Sequence, residues 1–269
     1  MCDNPLKVMR LAAHGALLVA IAAFLLPPRL HAQQAPGGRG NQAPGAARGN
    51  VRPDPPFDPT GYYVSIVSDE WRYRMITPPK GNVDFVPLNG EGRRVAGEWD
   101  PAKDAAAGDA CKGYGAGGIM RLPGRLHITW RDPNTLSVEI DSGTQTRIFH
   151  FGESPIPPGE PPSLQGYSVA QWEFAGGRGV QGQRVPGQLK VVTTKMKPGY
   201  LRKNGVPYSA NAVLTEYFSL LTDDDGTAYL AVTSMLDDPM YLVQPWVRTS
   251  QFRKQADGKG WNPTPCTAD

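Results

Sequence analysis

The sequence is poor in the residues that metal and redox chemistry usually require. Its 269 residues include three cysteines and four histidines. It contains no Cys-x-x-Cys pair and no Cys-x-x-Cys-His haem attachment. From this scarcity we expect no cofactor and no metal, and we assign no catalytic residue.

An excess of one charge is also missing. The chain has 28 lysines and arginines against 25 aspartates and glutamates, which gives a formal net charge of +3. Charges as evenly balanced as these do not indicate the basic surface that binds nucleic acid. We therefore expect no nucleic-acid partner.

Long apolar runs are missing except near the amino terminus. There Lys7 and Arg10 precede an apolar segment from Leu11 to Leu26, and Ala32 is the small residue expected before a cleavage site. The pattern predicts an export signal over residues 1–32 and a periplasmic or secreted protein. The alternative is a retained anchor, but the segment is shorter than the roughly 20 residues of a spanning helix. We expect no stable membrane span after cleavage.

Beyond the signal, the chain divides into a linker and one domain. Residues 33–56 are mostly Gly, Pro, Ala, Gln and Arg, a composition with too little apolar bulk to order itself. They are predicted to form a disordered linker, and residues 57–269 a single domain. In an oxidising compartment, Cys111 and Cys266 are predicted to form a disulfide. The rival interpretation is a reactive thiol, but Cys266 has no basic neighbour beyond Lys259.

The domain alternates short β-branched and aromatic runs with Gly, Pro, Asn and Asp, as antiparallel β proteins do. The predicted strands are Gly61–Val67, Trp71–Thr77, Arg125–Arg131, Thr135–Asp141, Thr144–Phe151, Tyr167–Phe174, Gln188–Lys195, Val213–Leu221, Ala228–Leu236 and Pro245–Arg253. Two short helices are predicted between the second and third strands, at Glu91–Trp99 and Pro101–Ala110, where Asp100 is placed as an N-cap.

About ten strands with one short helical insert indicate an all-β fold. Consecutive hairpins favour an antiparallel, up-and-down, lipocalin-like barrel, because closure removes exposed strand edges. The alternative is a two-sheet β-sandwich.

The sequence resembles a group of uncharacterised exported bacterial proteins that is abundant in acidobacteria. The resemblance spans most of the domain and lies in Trp71–Met75, Leu88–Pro101, Asp141–Arg147, Gly166–Glu173, Leu189–Thr194, Gly199–Ser209, Leu214–Phe218, Asp237–Pro239 and Gln244–Trp246. It implies a β-rich, lipocalin-like fold and export. It implies no activity, ligand or active site.

Two motifs suggest specific chemistries, but neither has the full set of residues that its chemistry needs. Ser168 lies in an approximate nucleophile elbow, but the triad histidine should follow the serine and none follows His150. The run Asp223–Gly226 resembles a calcium loop, but Leu221 and Val232 occupy ligand positions. A solvated hairpin turn is the simpler interpretation.

Histidines are the remaining metal candidates. Pairing the strands through their turns places His150 beside Thr135 and His127 beside Ile140, which puts the two histidines on opposite faces of the sheet. A site shared by them with Glu139 or Glu216 is therefore not expected.

The aromatic and arginine content has two interpretations. Either the inward side chains line a ligand cavity, or the tryptophans are ordinary core residues and the arginines form a solvated outer row. If the inward side chains line a cavity, arginines could orient an anionic group between aromatic walls. The candidate ligand-binding residues are Arg72, Arg74, His127, Arg147, His150 and Glu216. The predicted function is non-enzymatic binding of a small apolar or amphipathic ligand. The alternatives are an enzyme at the barrel mouth that uses His127 or His150 beside a carboxylate, and a structural or surface-interaction protein.

Overall fold

The computed structural model describes residues 55–152, 156–174 and 187–269. The predicted export signal and residues 33–54 of the predicted linker lie outside this part. Within it, the strands are β1 (Gly61–Ile66), β2 (Arg125–Asp132), β3 (Thr135–Ile140), β4 (Gln145–Phe151), β5 (Tyr167–Glu173), β6 (Gln188–Thr194), β7 (Gly199–Arg202), β8 (Val206–Tyr208), β9 (Val213–Thr222), β10 (Ala228–Asp237) and β11 (Trp246–Gln255). The helices are α1 (Trp71–Arg74), α2 (Gly90–Glu98), α3 (Pro101–Ala106) and α4 (Ala116–Ile119), with a 3-10 turn at Lys112–Tyr114.

Nine of these strands close a barrel in the order β1-β11-β10-β9-β6-β5-β4-β3-β2, while β7 and β8 form a separate hairpin. The predicted all-β barrel is confirmed, and closure excludes the sandwich. The barrel is not purely antiparallel, because β4 and β5 pair in parallel. An odd number of strands cannot close with antiparallel pairs alone, since each such pair reverses the strand direction. Along the sequence, β4 and β5 are separated by enough residues for the crossover connection that a parallel pair needs.

Side chains cap both main helices of the insert, and the predicted cap at Asp100 is confirmed. The side chain of Asn89 accepts a hydrogen bond from the Gly92 amide at 2.8 Å to start α2. Asp100 does the same for Ala102 at 3.0 Å to start α3. Helix α3 is shorter than predicted, because Gly108 has a φ of 76° and ends the helical conformation.

The predicted strand Trp71–Thr77 is wrong, since Trp71–Arg74 forms the single helical turn α1. Both edges of β1 are already paired, one with β11 and the other with β2. A further strand after β1 therefore has no free edge to join. The chain instead turns at Glu70, which has a left-handed φ of 50°.

Buried apolar side chains form two clusters. The first fills the barrel and includes Tyr63, Val138, Phe149, Val191 and Phe218. The second packs α2, α4 and the β7–β8 hairpin against inward residues at one end of the barrel, among them Leu214, Leu236 and Trp246. The insert and the hairpin thus cap that end, which we call the capped end.

The predicted disulfide between Cys111 and Cys266 is present, with Cα atoms 5.1 Å apart. It joins the carboxy-terminal tail to the insert. The tail is also held by the Thr264 amide, which donates to the Asp141 carbonyl at 2.9 Å. In the chain-entropy model a loop of this length contributes about 5 kcal/mol to stability.

Candidate functional site

A pocket of about 550 Å³ opens beside the capped end, where β11 continues past β1. Strand β1 ends at Ile66, which pairs with Gln251, so Trp246–Ser250 extend beyond it. The segment after β1 crosses this gap and helps to form the walls. The pocket is lined by Asp69, Glu70, Arg74, Phe85, Arg121, Val247, Arg248, Thr249 and Ser250. We call it the arginine pocket.

Four arginines from separate parts of the chain lie near Glu70, and all except Arg74 pair with its carboxylate. They are Arg74 of α1, Arg121 after α4, Arg202 at the end of β7 and Arg248 of β11, and we call them the arginine cluster. Glu70 Oε2 accepts a short hydrogen bond from Arg121 Nη2. Its Oε1 lies 3.1 Å from Arg248 Nε and 3.7 Å from Arg202 Nη2.

Positive charge is in excess in this cluster. Asp69 and Glu70 are the carboxylates that line the pocket with the arginines. Burial, together with the nearby charges of Arg202 and Arg74, lowers the pKa of Arg121 to about 10, while Glu70 opposes the shift. Burial also lowers the pKa of Arg74 and of Arg202. A guanidinium with a pKa near 10 is still charged at neutral pH, so an added anion would relieve mutual repulsion.

Several buried donors of the cluster make no hydrogen bond to any described residue. They are Arg202 Nε, Nη1 and Nη2, together with Arg74 Nη2. The Arg202 side chain is 0 % exposed, and its guanidinium lies 4.4 Å from the Tyr73 ring centroid. It borders a narrow crevice that Arg74 and Arg121 also line. Leaving a buried donor unpaired costs about 1–3 kcal/mol, so these groups have unused capacity for an acceptor.

The rim of the arginine pocket is apolar. Phe85 is 72 % exposed and Val247 is 47 % exposed, and both line the pocket. Phe85 has a φ of 62°, which is unusual for a bulky residue. Its carbonyl accepts hydrogen bonds from Trp246 Nε1 at 3.2 Å and Arg248 Nη2 at 2.5 Å, which fix this conformation. An apolar ring is therefore held next to the cluster.

The barrel centre contains a second arginine site. Arg147 donates to Glu216 through Nη1 at 3.0 Å and Nη2 at 2.6 Å, and both side chains are 0 % exposed. Thr193 Oγ1 lies 3.2 Å from Arg147 Nη2, and Ser234 Oγ donates to Glu216 Oε1 at 3.3 Å. The structure thus brings the two candidate residues Arg147 and Glu216 together, and they form an ion pair with each other.

One row of inward side chains connects the two arginine sites. Arg248 of β11 pairs with Ser234 of β10, and Ser234 pairs with Glu216 of β9. Directly opposed residues on neighbouring strands share a face of the sheet. The arginine pocket is therefore continuous in the sheet with the polar centre of the barrel.

The histidines lie on the outer face of the barrel wall. His127 Nδ1 lies 2.7 Å from Glu139 Oε2, and its ring stacks on Tyr62 at 4.1 Å. His150 stacks on Tyr167 at 4.5 Å, and burial lowers its pKa. His127 beside Glu139 is the arrangement of a base oriented by a carboxylate, but His127 does not line the arginine pocket.

The prediction that the histidines lie on opposite faces is wrong. His150 pairs with Thr135 as expected, whereas His127 pairs with Glu139 and not with Ile140. A register shift between Trp130 and Asp132 moves the pairing by one residue, which reverses the face. Four residues of β3 still separate the two positions, roughly 13 Å at strand spacing. No group of three or more His, Cys, Asp or Glu able to hold a metal occurs among the described residues.

Sequence reasoning found part of the arginine pocket. Of the candidates, Arg74 lies in the cluster, while Arg72 is exposed and its guanidinium lies 5.8 Å from the Trp71 ring centroid. Glu70, Arg121, Arg202 and Arg248 were not predicted. Arg248 carried a usable signal, because it lies two residues from Trp246 and so shares its face of β11.

Among the described residues, no helix is long and apolar enough to cross a membrane. No protein-family model, no curated protein and no solved structure matches this chain.

Proposed function

We propose that the protein binds a small amphipathic anion in the arginine pocket and acts as an exported, lipocalin-like binding protein, not as an enzyme. The observation that carries the proposal is the set of four arginines around one glutamate, with unused donors on a fully buried guanidinium. Arginine suits this task because its planar fork matches a carboxylate or phosphate group.

The apolar rim supports an amphipathic ligand. The anionic head would contact the cluster, and the apolar body would lie against Phe85 and Val247. The proposal places the ligand at the end of the barrel. Buried side chains such as Phe149, Val191 and Phe218 occupy its centre.

Four ligands with the same ten-carbon chain test the proposal: decanoate, decyl phosphate, decanol and decyltrimethylammonium. Isothermal titration calorimetry should give measurable binding for the two anions and at least about tenfold weaker binding for the other two, since a tenfold change needs only 1.4 kcal/mol. Equal binding of all four, or binding of none, would overturn the proposal.

A matched pair of variants on β11 locates the site. Arg248→Gln removes a guanidinium from the pocket, whereas Arg253→Gln removes an exposed one from the same strand. We expect about tenfold weaker decanoate binding for Arg248→Gln, because a charge-assisted contact is worth about 1.5–3 kcal/mol. Arg253→Gln should bind like the wild type. The same loss in both variants would point to a general charge effect and not to this pocket.

Export is the second part of the proposal and has its own test. If the export signal is cleaved, the protein recovered from the periplasm or the medium should begin at Gln33. Amino-terminal sequencing of fractionated cells measures this directly. Recovery of the uncleaved chain in the membrane fraction would support the retained anchor instead.

A further inference from the structure

Glu70 already occupies the position that an anionic ligand would take in the arginine pocket. One of its carboxylate oxygens accepts from Arg121, and the other lies near both Arg248 and Arg202. These three arginines converge on the two oxygens of one planar group. The contacts therefore define a slot with the geometry of a carboxylate.

The slot has more donors than Glu70 uses. Arg202 reaches Glu70 through a 3.7 Å ion pair, which is too long for a hydrogen bond. Its Nε and both terminal nitrogens make no hydrogen bond to a described residue. The Glu70 carboxylate is attached to the backbone, whereas the carboxylate of a ligand is not. A ligand carboxylate could therefore lie closer to the buried Arg202 guanidinium.

The segment that carries Glu70 lies at the surface, where the Glu70 carboxylate can move out of the slot. Ser68 and Asp69 are exposed, and Glu70 belongs to neither apolar cluster. The left-handed φ of Glu70 is a conformation that a residue with a side chain rarely adopts. Moving this side chain towards solvent would leave the barrel core and the cap packed.

We infer that the ligand is an amphipathic carboxylate whose head replaces the Glu70 carboxylate on Arg121, Arg202 and Arg248. This inference rests on the proposed function of the pocket. Glu70 is then a tethered competitor, and the fraction of protein with an open slot sets the apparent affinity. Weakening the contacts of Glu70 should tighten ligand binding.

Two substitutions of Glu70 and one control test the exchange with decanoate as the probe. Glu70→Asp keeps the charge but shortens the side chain by one methylene, so it should bind decanoate about threefold to tenfold more tightly. Glu70→Gln removes the competing charge and should bind more than about tenfold more tightly. Asp69→Asn removes an equal charge from the exposed lining of the same pocket and should stay within about twofold of the wild type.

The outcomes separate the exchange from simple addition of a ligand beside Glu70. If the wild type binds decanoate and neither Glu70 variant binds it more tightly, the exchange is wrong. Equal tightening by Asp69→Asn and Glu70→Gln, with none by Glu70→Asp, would also overturn it, because a general charge effect would then suffice. If no anion binds to the wild type or to any folded variant, the proposed function fails instead. Glu70→Asp keeps the test decisive if Glu70→Gln does not fold.

Discussion

The two arginine sites of this protein differ in how their charges are matched. In the barrel centre, Arg147 and Glu216 form a one-to-one, two-bonded pair with no exposed surface. In the arginine cluster, Arg121, Arg202 and Arg248 share Glu70 as their hydrogen-bonded or ion-paired carboxylate, and the pocket beside it is open to solvent. A balanced site holds a fold together, whereas an unbalanced one has capacity left for a ligand.

The largest effect on stability should come from removing one partner of the Arg147–Glu216 pair. Glu216→Ala leaves the Arg147 charge buried without its partner, which should lower the free energy of unfolding by about 3–5 kcal/mol. Denaturant unfolding measures this value. The double variant Arg147→Met/Glu216→Leu should recover most of the loss, because two apolar side chains need no partner. A wild-type midpoint for Glu216→Ala would show that the pair contributes little.

The opposite response is expected in the arginine cluster. Arg202→Met removes a buried cation whose nitrogens make no hydrogen bond to a described residue. The free energy of unfolding should therefore rise by about 1 kcal/mol even after loss of the long ion pair with Glu70 and of the contact with Tyr73. Decanoate binding should weaken in the same variant. Arg72→Met, which alters an exposed arginine outside the pocket, should leave both measurements unchanged. If Arg202→Met destabilised the protein, the contrast between a charge-matched site at Arg147 and an unmatched arginine cluster would be wrong.

The smallest effect concerns the barrel wall, where the ring of His150 is partly buried. Burial lowers its pKa in the folded state below the ordinary value of 6.5. The unfolded chain therefore binds the proton more readily, and stability should fall as the pH drops below about 6.5 and level off below the folded pKa. His150→Gln should flatten this slope in thermal unfolding between pH 5 and 7.5. An unchanged slope would assign the pH dependence to other groups.

The strands and the helical insert could be predicted because their signals are local, whereas the disulfide could be predicted because two cysteines lie beyond the predicted export signal. Hairpin turns, the cap at Asp100 and the pattern of β-branched residues each depend on a few neighbouring positions. The strand prediction for Trp71–Thr77 failed because closure of the barrel, a property of the whole chain, left no edge for it. The face of His127 was wrong because one extra residue near Arg131 changes the register.

The arginine pocket was harder to predict, because topology and not sequence proximity assembles it. Arg74, Arg121, Arg202 and Arg248 come from a helical turn, a loop after α4, the hairpin and the last strand. Their order along the chain gives no indication that they converge on Glu70. Arg147 and Glu216 were easier, since both are charged residues inside otherwise apolar strands.

The parallel pairing of β4 with β5 gives the barrel a seam. If that one contact is removed, the remaining strands form a single antiparallel sheet that runs from β4 through β1 and β11 to β5. The seam rests on three residue pairs, Phe149 with Ser168, His150 with Val169 and Phe151 with Ala170. The seam has fewer residue pairs than any other two neighbouring barrel strands, since even β1 and β2 share four, and parallel pairing is slightly less stable per residue. We therefore expect the seam to open more readily than the antiparallel pairs. When it opens, β4 and β5 become free edges that can pair with another chain and begin aggregation.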